Sequence, residues 1–178
     1  VRTFQPNNFV YASSSSVYGH NTDDFCFKES KSLKMPKNYY AFTKLENETI
    51  AKLYGETYRV PSTGLRFFSV YGPHARPDQV FYIFAKNILT KKPIFLYNNG
   101  NILRDFTYID DIVDGILLAL DKPKFGKIYN LSYGEPCVDI KKTLQYICEY
   151  LGINVIDAKI ELIPPKTDNR DVSYSLGD

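Results

Sequence analysis

The sequence predicts an α/β fold built on a parallel β-sheet. Short segments rich in β-branched and aromatic residues alternate with helical patterns of about 10 to 20 residues, as in β-α-β units. The 178 residues are 44% hydrophobic, which is enough for a sizeable core. No apolar run approaches the roughly 18 to 20 residues of a membrane-spanning helix, so this class is excluded. The length predicts one domain, or one domain and part of another.

Charge and cysteine content argue against two further classes. The 22 basic and 20 acidic residues give a net charge of +2 without a lysine or arginine block, so nucleic-acid binding is unsupported. Cys26, Cys137 and Cys148 form neither a disulfide framework nor a metal-binding pair, which fits the reducing cytoplasm.

His20 and His74 lack metal-ligand spacing, so we expect no metal. The aromatic content of 15% fits ligand stacking as well as core packing.

The first half of the chain is predicted as strand, loop, helix and strand. Apolar spacing and turn residues place these elements at 8–12, 20–37, 38–58 and 62–71. Asn38 is the expected N-cap of the helix, and Gly55 is expected to fray or close its C-terminal end. The run Ser13–Ser16 is interpreted as a structured strand end, because an apolar strand precedes it and Val17 follows it.

The second half has shorter elements, as expected of a small α/β lobe beside the main sheet. Helices are predicted at 81–89, 109–120 and 139–151, and extended segments at 94–97, 103–107, 127–132 and 160–163. Asp110 and Asp111 are interpreted as a helix start, where the dipole favours negative charge, and not as a catalytic pair.

Tyr40 and Lys44 form the pattern that points to chemistry. Four residues apart on one helix, they share a face with Cβ atoms about 5 to 6 Å apart. A nearby ammonium group stabilises a phenolate, so such a tyrosine is suited to general base catalysis. The pattern alone is weak, because Tyr82 and Lys86 repeat it. Ser14 separates the two cases, since it ends the preceding strand and is expected to face the same pocket as Tyr40.

This combination resembles the short-chain dehydrogenase/reductase superfamily, in its extended branch of NAD-dependent nucleotide-sugar epimerases and dehydratases. Five stretches carry the resemblance in order: Ala-Ser-Ser-Ser-Ser-Val-Tyr-Gly at 12–19, the run 36–44, Leu-Arg-Phe-Phe-Ser-Val-Tyr-Gly-Pro at 65–73, Ala-Arg-Pro-Asp at 75–78, and Arg-Asp-Phe-Thr-Tyr-Ile-Asp-Asp at 104–111. The Arg-Phe-Phe, Gly-Pro and Arg-Pro-Asp runs resemble the UDP-glucuronate 4-epimerases in particular.

The resemblance implies the C-terminal part of a doubly wound Rossmann domain plus a small substrate-binding lobe. Residues 1–73 are expected to form the second half of the NAD-binding domain, and 74–178 mainly the lobe, with one return to the main sheet. No G-x-G-x-x-G fingerprint for the pyrophosphate occurs in the sequence. We therefore expect an internal piece of a longer, homodimeric enzyme, and a piece that does not bind NAD tightly by itself.

The resemblance also implies catalytic and cofactor-binding roles. Tyr40 would be the base on the sugar 4-hydroxyl, Lys44 would hold the nicotinamide ribose, and Ser14 would hydrogen-bond the reacting oxygen. Ser13 and Phe67 are expected beside the cofactor. The sugar would be oxidised at C4, rotate as a ketose, and be reduced on its other face.

A UDP-sugar substrate is expected to contact Ser15, Ser69, Arg76 and Arg104. The two arginines suit a diphosphate or a uronate carboxylate, because the guanidinium group binds such anions with two hydrogen bonds. Dehydratases carry an Asp-Glu pair where this chain has Ser15 and Ser16, and hydroxyl groups cannot replace carboxylates in acid–base work. Arg170 lies in a segment that resembles a late substrate-binding stretch but departs from its pattern, so it receives no role.

Three alternatives stay open at the level of sequence. UDP-glucose and UDP-N-acetylhexosamine are the competing substrates for a 4-epimerase. A non-catalytic nucleotide-sugar-binding module that lacks the cofactor half is the competing class. A glycine-rich fingerprint in the preceding coding sequence would favour the enzyme.

Overall fold

The computed structural model describes residues 3–19, 27–30, 33, 35–134, 137–165 and 174–175. The strands are β1 Phe9–Ser14, β2 Ser62–Phe67, β3 Ser69–Tyr71, β4 Ile94–Leu96, β5 Leu103–Arg104, β6 Phe106–Tyr108, β7 Lys127–Leu131, β8 Val138–Asp139, β9 Ile160–Leu162 and β10 Tyr174–Ser175. The α-helices are α1 Tyr39–Tyr58, α2 Val80–Leu89, α3 Ile109–Asp121 and α4 Ile140–Tyr150. Among these residues no helix is long and apolar enough to cross a bilayer.

The main sheet has the order β1-β2-β7, and both of its strand pairs are parallel. Ser13 lies opposite Arg66, and Phe67 lies opposite Leu131. The carboxyl ends of all three strands therefore meet at one edge of the sheet, where open α/β proteins bind their ligands.

Helices α1 and α3 cover opposite faces of this sheet. Arg66 of β2 is hydrogen-bonded to Glu48 of α1, so α1 lies on the face that carries Arg66. Gly115 of α3 lies against the side chain of Leu131, the register partner of Phe67. Because Arg66 and Phe67 are successive residues of one strand, their side chains point to opposite faces.

Helix α1 begins as predicted, but its C-terminal end is built differently. The Asn38 side chain accepts a hydrogen bond from the backbone N–H of Ala41, which makes it the N-cap. The expectation for Gly55 is wrong, because this residue is buried within the helix, close to the carbonyl oxygen of Val60. Arg59, with a φ of 53°, supplies the left-handed cap instead.

The predicted strand at 62–71 is in fact two strands that belong to different sheets. Its first part, β2, pairs with β7, while its last part, β3, pairs with β6. The change occurs at Phe68, whose backbone N–H still reaches Leu131 at 3.2 Å, whereas that of Ser69 donates to Asp105 at 3.1 Å. The predicted extended segment 103–107 is likewise divided into β5 and β6, on either side of Asp105.

Two separate hydrophobic clusters support this arrangement. One cluster joins α2, β4 and α4, and its buried members are Phe84, Ile88, Ile94, Leu96, Ile140, Leu144 and Cys148. The other lies under the carboxyl end of the main sheet and consists of Val17, Tyr18, Phe27 and Phe68. The candidate site lies between residues of the two clusters.

Candidate active site

A cavity of about 710 Å³ opens at the carboxyl edge of the main sheet. This volume is within the range of small-molecule sites, about 300 to 1,000 Å³. Seven of the residues singled out from the sequence line it: Ser13, Ser14, Tyr40, Phe67, Ser69, Arg76 and Arg104. Lys44 and Ser15 are not among the lining residues. The structure thus brings most of the predicted site together from several different elements.

Ser14 lies where β1 ends and is held by local hydrogen bonds. Its Oγ accepts from the backbone N–H of Ser16 at 3.2 Å and lies 3.1 Å from the Ser16 hydroxyl. The side chain caps the short 3-10 helix Ser15–Tyr18, so the strand end is structured, as predicted. These contacts hold the hydroxyl group at the cavity wall, within reach of a ligand.

Tyr40 lies in the first turn of α1 and is 55% exposed, so its phenol is accessible from the cavity. The Lys44 Nζ atom lies 5.7 Å from the centre of the Tyr40 ring and donates to the carbonyl oxygen of Ala12 at 3.1 Å. Lys86 lies at the same 5.7 Å from Tyr82, a ring that does not line the cavity. The two pairs therefore share their local geometry and differ in their surroundings.

Two arginines also line the cavity. The Nε atom of Arg76 lies 3.3 Å from a carboxylate oxygen of Asp78, and both side chains are mostly exposed. Such an exposed pair contributes only about 0 to 1 kcal/mol, so an anionic ligand readily replaces the carboxylate. Arg104 donates to the carbonyl oxygen of Leu103 at 2.9 Å.

Ser69 and Arg104 are held in place through Asp105. The backbone N–H of Ser69 donates to the carbonyl oxygen of Asp105. The buried Asp105 carboxylate in turn accepts from the backbone N–H groups of Tyr133 and Gly134 at 3.0 and 3.1 Å. Asp105 thus ties the segment after β7 to the two strands that carry Ser69 and Arg104.

Ser13 and Ser15 were predicted to contact ligands, but their surroundings are different from those of Ser14. Ser13 is 2% exposed, and its hydroxyl group donates to Glu48 at 2.5 Å. Its predicted contact with the cofactor stays a prediction, and the structure gives its hydroxyl group a protein partner. Ser15 begins the 3-10 helix and lies beside the cavity-lining Ser14.

Two features of the site were not predicted from the sequence, a buried ion pair and an aromatic wall. Glu48 and Arg66 form the ion pair beneath the site. Phe81 and Phe106, with ring centres 4.9 Å apart, belong to the cavity wall. The spacing places Glu48 on the same helix face as Lys44, four residues earlier, but it indicates neither the burial of Glu48 nor its partner on β2.

Burial and this ion pair together determine the electrostatics under the site. Burial alone lowers the pKa of Arg66, but its hydrogen bonds to Glu48 and the Glu48 charge outweigh burial, and the pKa is raised. Burial raises the pKa of Tyr18 despite its contacts with Arg66. Burial, assisted by the Glu48 charge, raises the pKa of Tyr11 to about 12. Both phenols therefore remain neutral at physiological pH.

Three of the residues noted in the sequence have no described position. Cys26, His20 and Arg170 lie outside the described residues. Within the part of the chain that the structure describes, no group of three or more histidine, cysteine, aspartate or glutamate side chains is arranged to hold a metal ion.

The fold and the site define a Rossmann-type α/β protein with a cavity at the carboxyl edge of its sheet. The chain belongs to the NAD dependent epimerase/dehydratase family, whose sequence profile matches residues 1–132. The predictions of this fold class, of the family and of NAD as its cofactor are confirmed.

Individual relatives agree with this assignment. UDP-glucuronate 4-epimerase 6 of Arabidopsis thaliana is 50% identical, in an alignment that covers 93% of this chain and 38% of that protein. The crystal structure of UDP-glucuronic acid 4-epimerase from Bacillus cereus with UDP-glucuronic acid and NAD has a TM-score of 0.85 and 29% identity, and the match covers 97% of this chain and 52% of that one. UDP-N-acetylglucosamine 4-epimerase from Methanobrevibacter ruminantium has a TM-score of 0.88 and 25% identity, with coverages of 99% and 56%. The chain spans about half, or less, of the length of these relatives.

The residues present fit one end of the NAD molecule. Tyr40 and Lys44 place an accessible phenol and an ammonium group at the carboxyl edge of a parallel sheet, a donor set suited to the nicotinamide ribose. Phe67 lines the adjacent cavity wall. The sequence contains no glycine fingerprint for the pyrophosphate, so the fit concerns the nicotinamide end only.

Proposed function

We propose that this chain forms the catalytic helix and the sugar-binding side of a nucleotide-sugar 4-epimerase that converts UDP-glucuronate to UDP-galacturonate. One observation carries the proposal: Tyr40 and Ser14 come from different elements and line the same cavity as Arg76 and Arg104. A base, a hydroxyl group for the reacting oxygen and two cations thus share one space.

The chain's own residues would handle the proton at the sugar 4-hydroxyl. Tyr40 would take this proton as the sugar is oxidised and return it when the sugar is reduced. Ser14 would donate a hydrogen bond to the same oxygen, and Lys44 would hold the ribose and keep a positive charge next to Tyr40. When bound, NAD supplies the hydride acceptor and donor at C4. The keto-sugar would turn in this cavity between the two half-reactions.

Epimerisation is favoured over dehydration by the side chains next to Ser14. Elimination of water needs a carboxylic acid and a carboxylate close to the sugar, and this chain has Ser15 and Ser16 at the corresponding positions. Both hydroxyl groups stay protonated at neutral pH. The reaction that remains needs only a base at C4 and the cofactor.

A uronate is favoured as the sugar by the relatives of this chain, and the cations of the cavity are compatible with it. Arg76 and Arg104 would bind the diphosphate or the carboxylate, and Ser69 would contact the sugar nucleotide. The 50% identity with the Arabidopsis UDP-glucuronate 4-epimerase supports this substrate. A UDP-N-acetylhexosamine is the second candidate, because the Methanobrevibacter UDP-N-acetylglucosamine 4-epimerase is similar over 99% of this chain.

A product assay on the natural polypeptide that carries this sequence tests the proposal. Incubation with UDP-glucuronate should yield UDP-galacturonate of unchanged mass, identified by chromatography and proton NMR. A UDP-pentose or a 4-keto-6-deoxy product would contradict it. Parallel incubations with UDP-glucose and UDP-N-acetylglucosamine are the controls, and faster conversion of either would select the second candidate class of substrate. Binding without turnover of any of the three would instead support a non-catalytic binding module.

A further inference from the structure

A buried ion pair joins the catalytic helix to the main sheet. Glu48 of α1 and Arg66 of β2 have side chains only 5% and 4% exposed. The Nε and Nη2 atoms of Arg66 donate to the two carboxylate oxygens of Glu48 at 2.8 and 2.7 Å. Removing two charges from water is costly, and apolar pairs of similar size are often as stable or more stable. The stability of the fold therefore does not by itself explain this pair.

Glu48 is the largest of the buried residues of α1. The buried residues of α1 are Ala41, Glu48, Ala51 and Gly55. The three small residues let the helix approach the sheet closely and bury little area, and the half-buried Leu45 adds an apolar contact with the cluster of Val17, Tyr18, Phe27 and Phe68. Glu48 is the one long side chain among the buried residues of α1. Its two hydrogen bonds to Arg66 therefore fix the distance of the helix from the sheet and its rotation about its own axis.

Glu48 also contacts the strand that carries Ser14. Its carboxylate accepts a hydrogen bond from the Ser13 hydroxyl at 2.5 Å. The residue before Ser13 is Ala12, whose carbonyl oxygen accepts from Lys44, and the residue after it is Ser14. The carboxylate is therefore bound to the residue between two functional groups of β1.

The helix repeat extends this relation to Tyr40. Tyr40, Lys44 and Glu48 are spaced four residues apart, so they follow one another along the same helix face, one turn apiece. A rotation of α1 that moved Glu48 would move Tyr40 and Lys44 in the same direction. The distance between Tyr40 and Ser14 thus depends on the contact two turns below.

Arg66 also connects the ion pair to β7. Its guanidinium carbon lies 4.7 Å from the centre of the Tyr18 ring, and the Tyr18 hydroxyl donates to the Asn130 side chain at 2.7 Å. Asn130, on β7, is the register partner of Arg66. The ion pair is therefore linked directly to β1 and β2, and to β7 through Tyr18.

We propose that Glu48 and Arg66 are positioning residues for the epimerase reaction, which hold Tyr40 and Lys44 at a fixed height over Ser14 without touching the substrate. This inference rests on the proposed function. The pair would control the placement of Tyr40 and Lys44 relative to the reacting oxygen, and not the affinity for the sugar nucleotide.

The test replaces the ion pair with an apolar pair of similar size, Glu48→Leu with Arg66→Met, in the natural polypeptide. The double variant should fold with a melting temperature near that of the wild type. Its kcat on UDP-glucuronate should fall about 10- to 100-fold, because a misplacement of about 1 Å is enough for such a loss. Its KM should stay within about twofold of the wild-type value. An unchanged kcat, or a loss confined to KM, would overturn the proposal.

Arg66→Lys keeps the charge and removes the planar fork, so it guards against a double variant that does not fold. It should lower kcat about 10-fold without changing KM, and a wild-type kcat here would also count against the proposal. Lys52→Gln with Glu56→Gln is the matched control, because it removes two exposed charges of opposite sign from the same helix. This control should leave both constants unchanged.

Hydrogen–deuterium exchange separates failure of this proposal from failure of the proposed function. In the apolar double variant, the amides of residues 40–48 should exchange at least about threefold faster than in the wild type, whether or not the protein turns over a sugar nucleotide. If the wild type lacks epimerase activity, the proposed function fails and this measurement still decides whether the pair holds the helix. Unchanged exchange would overturn the positioning role.

Discussion

At the scale of single residues, a tyrosine followed four residues later by a lysine occurs twice, with different surroundings. Lys44 over Tyr40 and Lys86 over Tyr82 have equal ring distances of 5.7 Å, yet only Tyr40 lines the cavity together with Ser14. A phenol next to an ammonium group is common on helices and becomes a base only where a substrate oxygen can reach it. Tyr82 and Lys86 therefore supply an internal control for the proposed catalytic role of Tyr40 and Lys44.

Tyr40→Phe should lower the kcat of the natural polypeptide by about 10² to 10⁴, which is the usual contribution of a general base. The KM should change little, because the phenyl ring keeps its place at the cavity wall. Steady-state kinetics with UDP-glucuronate measures both constants. Tyr82→Phe, the matched control, should behave as the wild type, and near-normal turnover by the Tyr40 variant would show that another group removes the proton.

Arg76→Ala and Arg104→Ala should each raise KM with a smaller effect on kcat. Each replacement removes charge-assisted hydrogen bonds worth about 1.5 to 3 kcal/mol, which corresponds to roughly 10- to 150-fold in affinity. Titration of UDP-glucuronate by calorimetry gives the same comparison for binding alone. Lys92→Ala, which removes an exposed cation from outside the cavity lining, is the control. Wild-type affinity in both arginine variants would leave Arg76 with only its surface pair to Asp78.

At the scale of elements, the packing of β3 against the start of α3 depends on one glycine. Gly72, directly after β3, has a φ of +145°, and a Cβ atom placed there would lie 2.5 Å from Ile109 Cγ2 at the start of α3. Residues with side chains rarely adopt this backbone conformation, and the neighbour leaves no space. The same strand holds Ser69 at the cavity.

Gly72→Ala should therefore lower the free energy of unfolding by about 3 to 5 kcal/mol, the sum of backbone strain and overpacking. Gly126→Ala is the matched control, since Gly126 has a φ of +62° and a methyl group there would have no atom within 4 Å. This control should cost about 1 to 2 kcal/mol. Urea unfolding measures both. Equal losses in the two variants would mean that Ile109 moves aside freely.

Elements with strong local signals could be predicted from the sequence, and non-local ones could not. Asn38 marks the start of α1 because its side chain makes a local hydrogen bond, which sequence spacing alone defines. The break at Phe68 has no local signal, because Ser62–Tyr71 is rich in strand-forming residues throughout. The choice of partner strand decides it, and Leu131 and Asp105 are distant from Phe68 in the sequence.

The candidate site shows the same division. Tyr40, Lys44 and Ser14 could be proposed from the sequence because their residue types and order resemble a known family, and the structure places Tyr40 and Ser14 at one cavity. Glu48 could not, because a glutamate on a helix is ordinarily exposed and only the opposing Arg66 accounts for its burial. The role of a side chain that acts through another side chain is difficult to infer from a single sequence, because its partner is distant in that sequence.

At the scale of the whole molecule, the described sheet would provide only the nicotinamide end of the proposed dinucleotide site. Residues 1–178 alone should show no NAD binding at micromolar concentrations by calorimetry, because Tyr40, Lys44 and Phe67 reach only the nicotinamide end. The pyrophosphate ordinarily needs a glycine-rich turn at a helix N-terminus. The natural polypeptide is the positive control. Micromolar binding by residues 1–178 would show that another part of this chain replaces that turn.

The separation of the two hydrophobic clusters has a consequence for how such proteins diversify. Among the described residues, the cluster of α2, β4 and α4 shares no buried side chain with the one beneath Ser14 and Tyr40. Substitutions in well-separated clusters have nearly additive effects on stability. Mutations that reshape the proposed sugar side of the cavity can thus accumulate without disturbing Ser14 and Tyr40, the proposed catalytic groups. One reaction mechanism can in this way be inherited unchanged while its descendants come to accept different sugars.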